Sequence, residues 1–305
     1  MAISVDIEIK QAGLFKKNLD LNFLKEICEN YGFSYGIHNH AMALDGYQGG
    51  KDITGTSFVV YNGRKIGRGF NFWADDNKRD CGLRLSNPCT DNDVNDFYDF
   101  VQTVCEKLKA KSFLQDGEAK EASDISQIRS DINTWNRQVL KDQIAADYKE
   151  WCVFGAVYPI YLEDSFREQI PYLSDRDAMA SYTKYLHEKQ ISDYYYAKSI
   201  IYSDNEDNLF GRYAITEGVR SIFPLEPYIT IGMGMNMNTP VMGWSVSLGL
   251  FENGEYINVG SISFDDFVNN LNLKENARTF DARHVIIELD KKAIYMLIEQ
   301  SKVTD

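Results

Sequence analysis

The chain has 305 residues, of which 44% are hydrophobic and 13% aromatic, and this size is sufficient for a packed core and typical of two domains. Its 32 Lys and Arg residues against 45 Asp and Glu residues give a formal net charge of −13, which repels nucleic-acid phosphates and anionic membrane surfaces. Composition therefore disfavours a disordered chain, a nucleic-acid-binding protein and a membrane-surface protein.

Three further features of the sequence predict a cytoplasmic protein from a bacterium. The chain begins without a basic segment followed by an apolar one, and no stretch approaches the ~18 apolar residues that a membrane span needs. The abundance of Asn, Asp, Ile, Lys and Tyr fits an AT-rich coding genome. The cysteines never form a Cys-x-x-Cys pair, which predicts reduced thiols without a disulfide framework or a thiolate zinc site: they are Cys28, Cys81, Cys89, Cys105 and Cys152.

A strand and a helix are predicted at the beginning of the chain. Apolar residues alternate with polar ones from Ile3 to Ile9, which is the pattern of a strand with one buried face. Asp20 then precedes apolar residues at helical spacing, and Gly32 follows them as a stop. We expect the apolar stripe of this helix to cover the sheet.

A hairpin and a second helix are predicted next. Asn62-Gly63 separates two apolar runs in residues 56–73 and suits the positive φ angles of a type I′ turn. Thr90 and Asp93 have the spacing of a helix-capping pair, and the apolar residues after them recur at helical spacing. The basic residues around the predicted turn, Arg64, Lys65 and Arg68, are interpreted as solvated surface charge.

A domain boundary is predicted where the apolar periodicity stops. Residues 115–124 are polar, and helical spacing resumes behind Ser123 and continues to about residue 149. We therefore expect an N-terminal domain at 1–115, a connecting helix at 116–150 and a C-terminal domain at 151–305.

The second half repeats the same kinds of signal. Helices are predicted behind Ser174 and Ser263, and Asn253-Gly254 joins two apolar runs in a hairpin. The many antiparallel hairpins predict an α+β fold, with two mixed domains whose helices pack on one face of antiparallel sheet. The recurrence of a hairpin followed by a capped helix also leaves open a weak internal duplication.

One cluster could bind a divalent metal. His38 and His40 are two residues apart, so on a strand they would point to the same face, and Asp45 follows shortly after. A metal site needs a third and usually a fourth ligand, and the remaining histidines bring no companion motif. Surface or loop histidines are the alternative, and no cofactor is expected otherwise.

A second group of residues could form a protein-binding surface. Three methionines alternate at strand spacing in residues 232–237, and two aromatic groups lie near predicted strand ends, so alternate members would be exposed. Core filling is the alternative for the methionines. The candidates are Trp73, Tyr195, Met233, Met235 and Met237.

No motif in the sequence specifies a function. Hydrolase, zincin and dinucleotide-binding signatures are absent from the sequence. The leading hypothesis is a non-catalytic cytosolic protein that binds a protein partner of basic charge. The alternative is a metal- or small-molecule-dependent enzyme that uses His38, His40 and Asp45, with the glycine-rich segment 46–56 as a lid. The oligomeric state is left open.

Overall fold

The structure is a computed structural model that describes residues 3–13, 16–146, 151–230, 235, 239–252 and 254–301. The chain forms two compact units. Unit 1 comprises Met1–His38 and Ala43–Ile191, and unit 2 comprises Asn39–Met42 and Ser192–Asp305. Within the described residues, no helix is long and apolar enough to cross a membrane.

Unit 1 combines a large antiparallel sheet with five helices among its described residues. In chain order the elements are β1 (Ile3–Ile9), α1 (Leu21–Tyr31), β2 (Phe33–His38), β3 (Leu44–Asp45), β4 (Phe58–Asn62), β5 (Phe70–Ala74), β6 (Cys81–Asn87), α2 (Asp91–Leu108), β7 (Ser112–Gln115), β8 (Glu118–Glu121), α3 (Ile125–Ala145), β9 (Cys152–Phe154), β10 (Pro159–Tyr161), α4 (Asp164–Gln169) and α5 (Asp175–Gln190).

The sheet of unit 1 has the strand order β3-β2-β4-β5-β6-β1-β7-β8, and β9 and β10 form a separate pair. The alternation in β1 buries Val5, Ile7 and Ile9 in a core with the apolar faces of α1 and α2. Asp20 caps α1 and Gly32 ends it at φ 68°, while Thr90 and Asp93 form a capping box on α2. The local helix and strand predictions in this region are therefore confirmed.

The hairpin around residue 62 forms, but its turn differs from the predicted one. β4 and β5 pair from Phe58 opposite Phe72 to Val60 opposite Phe70, so residues 63–69 form a loop between the strands. Neither Asn62 nor Gly63 has a positive φ. Instead the Asn62 side chain accepts a hydrogen bond from the amide of Arg64, which bends the chain by a local polar contact.

The predicted domain boundaries differ from the units of the structure, since residues 116–191 lie within unit 1. The polar run after residue 115 is the hairpin β7–β8, which turns at Asp116 and Gly117 with φ of 53° and 84°. β7 pairs with β1, and α3 packs on α2. Because β8 is an exposed edge strand, it carries no apolar periodicity.

The described residues of unit 2 form two sheets and three α-helices. In chain order the elements are β11 (Tyr195–Tyr196), β12 (Ile200–Ser203), β13 (Leu209–Thr216), β14 (Ser221–Pro224), β15 (Gly243–Glu252), β16 (Glu255–Ser263), α6 (Phe264–Asn270), α7 (Leu273–Asn276), β17 (Arg278–Thr279), β18 (His284–Ile287) and α8 (Lys291–Ser301).

The sheets of unit 2 have the orders β11-β14-β18-β17 and β12-β13-β15-β16. β15 and β16 form the predicted antiparallel hairpin, but β13 pairs with β15 in parallel. The core is built from both sheets together with α6 and α8. The α+β class is therefore confirmed, and the two units do not share a strand order that would match the duplication considered from the sequence.

Candidate functional site

Unit 1 contains a cleft with a volume of about 740 Å³, which lies within the range of small-molecule sites. Its walls come from the loop after β4, the first turn of α2, the middle of α3 and one side of α5. The lining residues are Arg64, Lys65, Asp91, Asn92, Arg137, Arg176, Met179, Ala180, Thr183, Lys184 and His187.

One face of α5 forms a wall of the cleft along most of the helix. The lining positions run from Arg176 to His187 at steps of three, one, three, one and three residues, which is the spacing of one helical face. The eleven helical steps from Arg176 to His187 extend this wall over about 16 Å. Met179 is buried within the wall, whereas Arg176 and Lys184 are exposed. The exposed part of the wall therefore carries the cations of Arg176 and Lys184 with the small side chain of Ala180 between them.

Asp93 connects the loop after β4 to the N-terminus of α2. Its carboxylate accepts hydrogen bonds from the amides of Arg68, Gly69 and Thr90 at 2.9 to 3.0 Å, and from the Thr90 hydroxyl at 2.8 Å. Burial raises the pKa of Asp93, and these hydrogen bonds oppose that effect. Asp93 thereby fixes the loop that presents Arg64 and Lys65 to the cleft.

Arg68 belongs to the structure of the loop and is only partly exposed. Its guanidinium donates to the carbonyl oxygens of Phe154 and Pro88, both at 3.0 Å. The interpretation of Arg68 as solvated surface charge therefore fails, because its side chain is satisfied by buried backbone. Arg64 and Lys65 are exposed, as that interpretation expects, but they line the cleft.

The cleft carries an excess of positive charge. Arg64, Lys65, Arg137, Arg176 and Lys184 line it, against the single carboxylate of Asp91. Arg137 is paired with Asp91 at 2.6 Å. Lys184 lies 3.9 Å from the exposed carboxylate of Glu188, a weak pairing. Within the part of the chain that the structure describes, the other three cations make no ion pair.

Two titratable groups adjoin these cations. Burial and the neighbouring Asp93 raise the pKa of Asp96 to about 6, while Lys65 and a hydrogen bond from Asn62 lower it. His187 lines the cleft, and its shielded Nδ1 atom makes no hydrogen bond within the described residues.

The metal hypothesis finds no geometric support. The Nε2 atom of His38, at the end of β2, lies 3.2 Å from the carbonyl oxygen of Ala156, and burial lowers the pKa of this histidine. Asp45 is exposed in β3, and His40 lies in the segment assigned to unit 2. The described residues contain no group of three His, Cys, Asp or Glu side chains that could hold a metal. The site stays a prediction from spacing.

The candidate interaction residues lie in different settings. Trp73 is half-buried in β5, where its ring lies against Gly82 of the neighbouring strand. Tyr195 is exposed in β11, and Met235 is half-buried. Met233 and Met237 lie outside the described residues. These positions do not test a partner, so the surface stays a prediction.

The sequence contained a partial signal for the cleft. Arg176, Met179, Thr183 and Lys184 recur at helical spacing, so their common face could be identified from α5 alone. The other three walls could not be identified, because nothing local indicates that the loop carrying Arg64, the first turn of α2 and the middle of α3 meet that face.

The comparisons with known proteins concern almost the whole chain. A family model described as a domain of unknown function, DUF4299, matches residues 4–297. The chain belongs to this family. No curated protein and no solved structure matches it. The DUF4299 match includes both units and supports an uncharacterised role, so the case for a ligand depends on the geometry of the cleft.

Proposed function

We propose that unit 1 binds a small phosphate-bearing ligand in the cleft. The observation that carries this proposal is that Arg64, Lys65 and Arg176 converge on one cavity while making no ion pair within the described residues. Like charges that line one cavity repel one another, and a bound anion relieves that repulsion. Each charged hydrogen bond to the ligand contributes about 1.5 to 3 kcal/mol.

Phosphate is favoured over a carboxylate by the kind of donors present. Arginine presents a planar set of N–H groups that matches phosphate oxygens in pairs. The first turn of α2 supplies Asp91 and Asn92 to the cleft, and the first turn of α5 supplies Arg176. Acidic residues in both first turns already offset the positive helix ends, so the case for phosphate depends on the side-chain cations.

The size and lining of the cleft support a metabolite and not a polymer. Ala180 offers a small exposed apolar surface to an organic moiety beside the cations. The net charge of −13 repels an extended polyanion, whose charges lie outside the cleft. A nucleotide or another phosphorylated small molecule fits both conditions.

The test is isothermal titration calorimetry with inorganic pyrophosphate and with ATP as probes. We expect saturable binding that weakens as salt rises. Arg176→Gln should raise Kd about tenfold, the loss of one charged hydrogen bond. Lys25→Gln is the matched control, since Lys25 is an exposed lysine of α1 outside the cleft.

The outcome of this comparison decides the proposal. An equal loss of affinity in Arg176→Gln and Lys25→Gln would indicate a general charge effect and would overturn the assignment to the cleft. Absence of binding by both probes at millimolar concentration would overturn it as well.

A basic protein partner is a second candidate, supported by exposed apolar residues in unit 2. Phe251 and Tyr256 are paired across the β15–β16 hairpin with 62% and 49% of their surface exposed, and Ile257 beside them is 42% exposed. β16 is an edge strand of its sheet. Exposed aromatics favour protein interfaces, and the charge of −13 favours a basic partner.

This second candidate has its own test, in which the protein is isolated from the cells that express it at low and high salt. A stoichiometric basic protein should copurify at low salt and be lost from the double variant with Phe251→Ser and Tyr256→Ser. Tyr172→Ser, at another exposed tyrosine, is the control. Retention by the double variant would refute docking at this hairpin.

A further inference from the structure

Unit 2 contains a buried polar cluster that the phosphate proposal does not use. We call it the His284 cluster, and its members are Asp281, His284, Tyr196 and Tyr228. The imidazole Nδ1 atom of His284 lies 2.8 Å from the Asp281 carboxylate. Its Nε2 atom lies 3.0 Å from the Tyr228 hydroxyl and 3.1 Å from the Tyr196 hydroxyl.

The turn before β18 holds the carboxylate and the imidazole in a fixed relation. Asp281 Oδ1 accepts the backbone amides of Arg283 and His284 at 2.9 and 2.8 Å, in addition to the imidazole. Asp281 is 2% exposed and His284 is 0% exposed. Since the Asp281 carboxylate accepts from Nδ1, that nitrogen carries a proton, and the lone pair of Nε2 can accept a hydrogen bond from a tyrosine hydroxyl.

Tyr228 is held from several sides. The Tyr213 hydroxyl accepts from the amide of Tyr228 at 3.2 Å and donates to its carbonyl oxygen at 3.0 Å. The guanidinium of Arg283 lies 5.0 Å from the centre of the Tyr228 ring. Of the four members of the cluster, Asp281, His284 and Tyr196 are buried and Tyr228 is half-buried. Tyr228 is therefore the member of the cluster with the largest exposed fraction.

This arrangement has the three parts of an activated nucleophile. A hydroxyl lies within hydrogen-bond reach of a base, and the base is oriented by a carboxylate. The Tyr196 hydroxyl lies 3.0 Å from the Tyr228 oxygen and can donate to it once that oxygen becomes negative. The cation of Arg283 beside the ring stabilises the same charge.

We propose that the His284 cluster is a reactive site at which Tyr228 accepts an acyl group from an activated acyl donor. The phenol O–H bond breaks and its proton moves to His284 Nε2, while the phenol oxygen forms a bond to the acyl carbon. The bond from that carbon to the leaving group breaks, and the leaving group takes the proton from Nε2. Asp281 acts as a positioning residue through the imidazole.

The test uses N-acetylimidazole as the acyl donor, with the acetylated tyrosines located and timed by peptide mass spectrometry. Tyr172 is the internal reference, because it is 91% exposed and lies outside the cluster. We expect Tyr228 to be acetylated at least about tenfold faster than Tyr172, despite its lower exposure. A purely structural cluster predicts the opposite order, because burial and hydrogen bonding protect a phenol. A rate at Tyr228 equal to or below that at Tyr172 overturns the proposal.

Two variants separate activation from packing. Asp281→Asn retains a side-chain oxygen for the two backbone amides but removes the negative charge that orients the imidazole, and should slow acetylation of Tyr228 about tenfold. His284→Gln should slow it at least as much. Tyr172 should react at its original rate in both variants, and an unchanged near-ultraviolet circular dichroism spectrum shows that the fold is retained. An unchanged acetylation rate at Tyr228 in a folded variant overturns the proposed activation of Tyr228 by His284 and Asp281.

Discussion

Replacement of Asp93 tests the link between the cleft loop and α2. The carboxylate is 4% exposed and accepts four hydrogen bonds, three at Oδ2 and one at Oδ1. Asp93→Ala leaves the amides of Arg68, Gly69 and Thr90 without this acceptor. Asp93→Asn keeps the three bonds at one oxygen position and sets an N–H group against the amide of Gly69.

The expected loss of stability follows from these bonds. A buried amide without a partner costs about 1 to 3 kcal/mol, so three such amides cost at least about 3 kcal/mol in Asp93→Ala. The alanine also removes a carboxylate whose raised pKa indicates that its burial is unfavourable. The total loss of stability is therefore smaller than the sum of the costs of the unpaired amides. Asp93→Asn loses one hydrogen bond, which destabilises the fold, but it also removes the cost of burying a charge. We therefore expect its free energy of unfolding to fall by about 1 to 2 kcal/mol.

Urea unfolding followed by far-ultraviolet circular dichroism measures both losses. Asp131→Asn and Asp131→Ala, at an exposed position of α3, are the matched controls and should change the free energy of unfolding by less than about 0.5 kcal/mol. A loss below about 1 kcal/mol in Asp93→Ala would refute the reasoning. So would a larger loss in Asp93→Asn than in Asp93→Ala.

Three further predictions concern unit 1. Because the folded pKa of Asp96 is raised to about 6, its contribution to stability is present below about pH 4 and is lost as pH rises to about 6. Urea unfolding at both pH values should therefore show that the free energy of unfolding of Asp96→Asn, relative to that of the wild type, is about 1 kcal/mol higher at about pH 6 than at about pH 4. This figure is reduced because Asp96 is partly exposed. Asn136 exchanges two hydrogen bonds with the Cys89 backbone, so Asn136→Ala should cost about 2 to 4 kcal/mol in urea unfolding, unlike exposed Gln138→Ala. Cys152 should be the first thiol to react with Ellman's reagent in the folded protein, because burial raises the pKa of Cys28 and Cys105 to about 12.

Features that depend on neighbours in the chain could be predicted from the sequence. The alternation in Ile3–Ile9, the Asp20 cap and the Thr90 capping box each involve groups within a few residues of one another. The same local logic missed the Asp116-Gly117 turn, because β8 beyond it is exposed and polar. A polar edge strand and a linker share one composition, and only pairing with the rest of the sheet distinguishes them.

The candidate sites depend on contacts between distant parts of the chain. Arg64 and Arg176 are more than a hundred residues apart, and only the packed structure brings both to one cleft. In the His284 cluster the Asp281-x-x-His284 spacing is local, but Tyr228 and Tyr196 come from elsewhere in unit 2. The spacing of His38 and His40 suggested a metal site because two residues at this separation on a strand point to the same face. Spacing does not show which groups the imidazole rings contact.

The acidic net charge and the basic cleft are compatible because electrostatic interactions are screened over short distances. At physiological ionic strength the screening length is about 8 Å, so a ligand in the cleft responds mainly to Arg64, Lys65 and Arg176 and less to distant carboxylates. A long polyanion extends beyond that distance and meets the surplus of negative charge. The total of −13 therefore argues against nucleic acid without arguing against a small phosphate ligand. The total charge is a sum over the whole chain and does not describe the local cationic lining of this cleft.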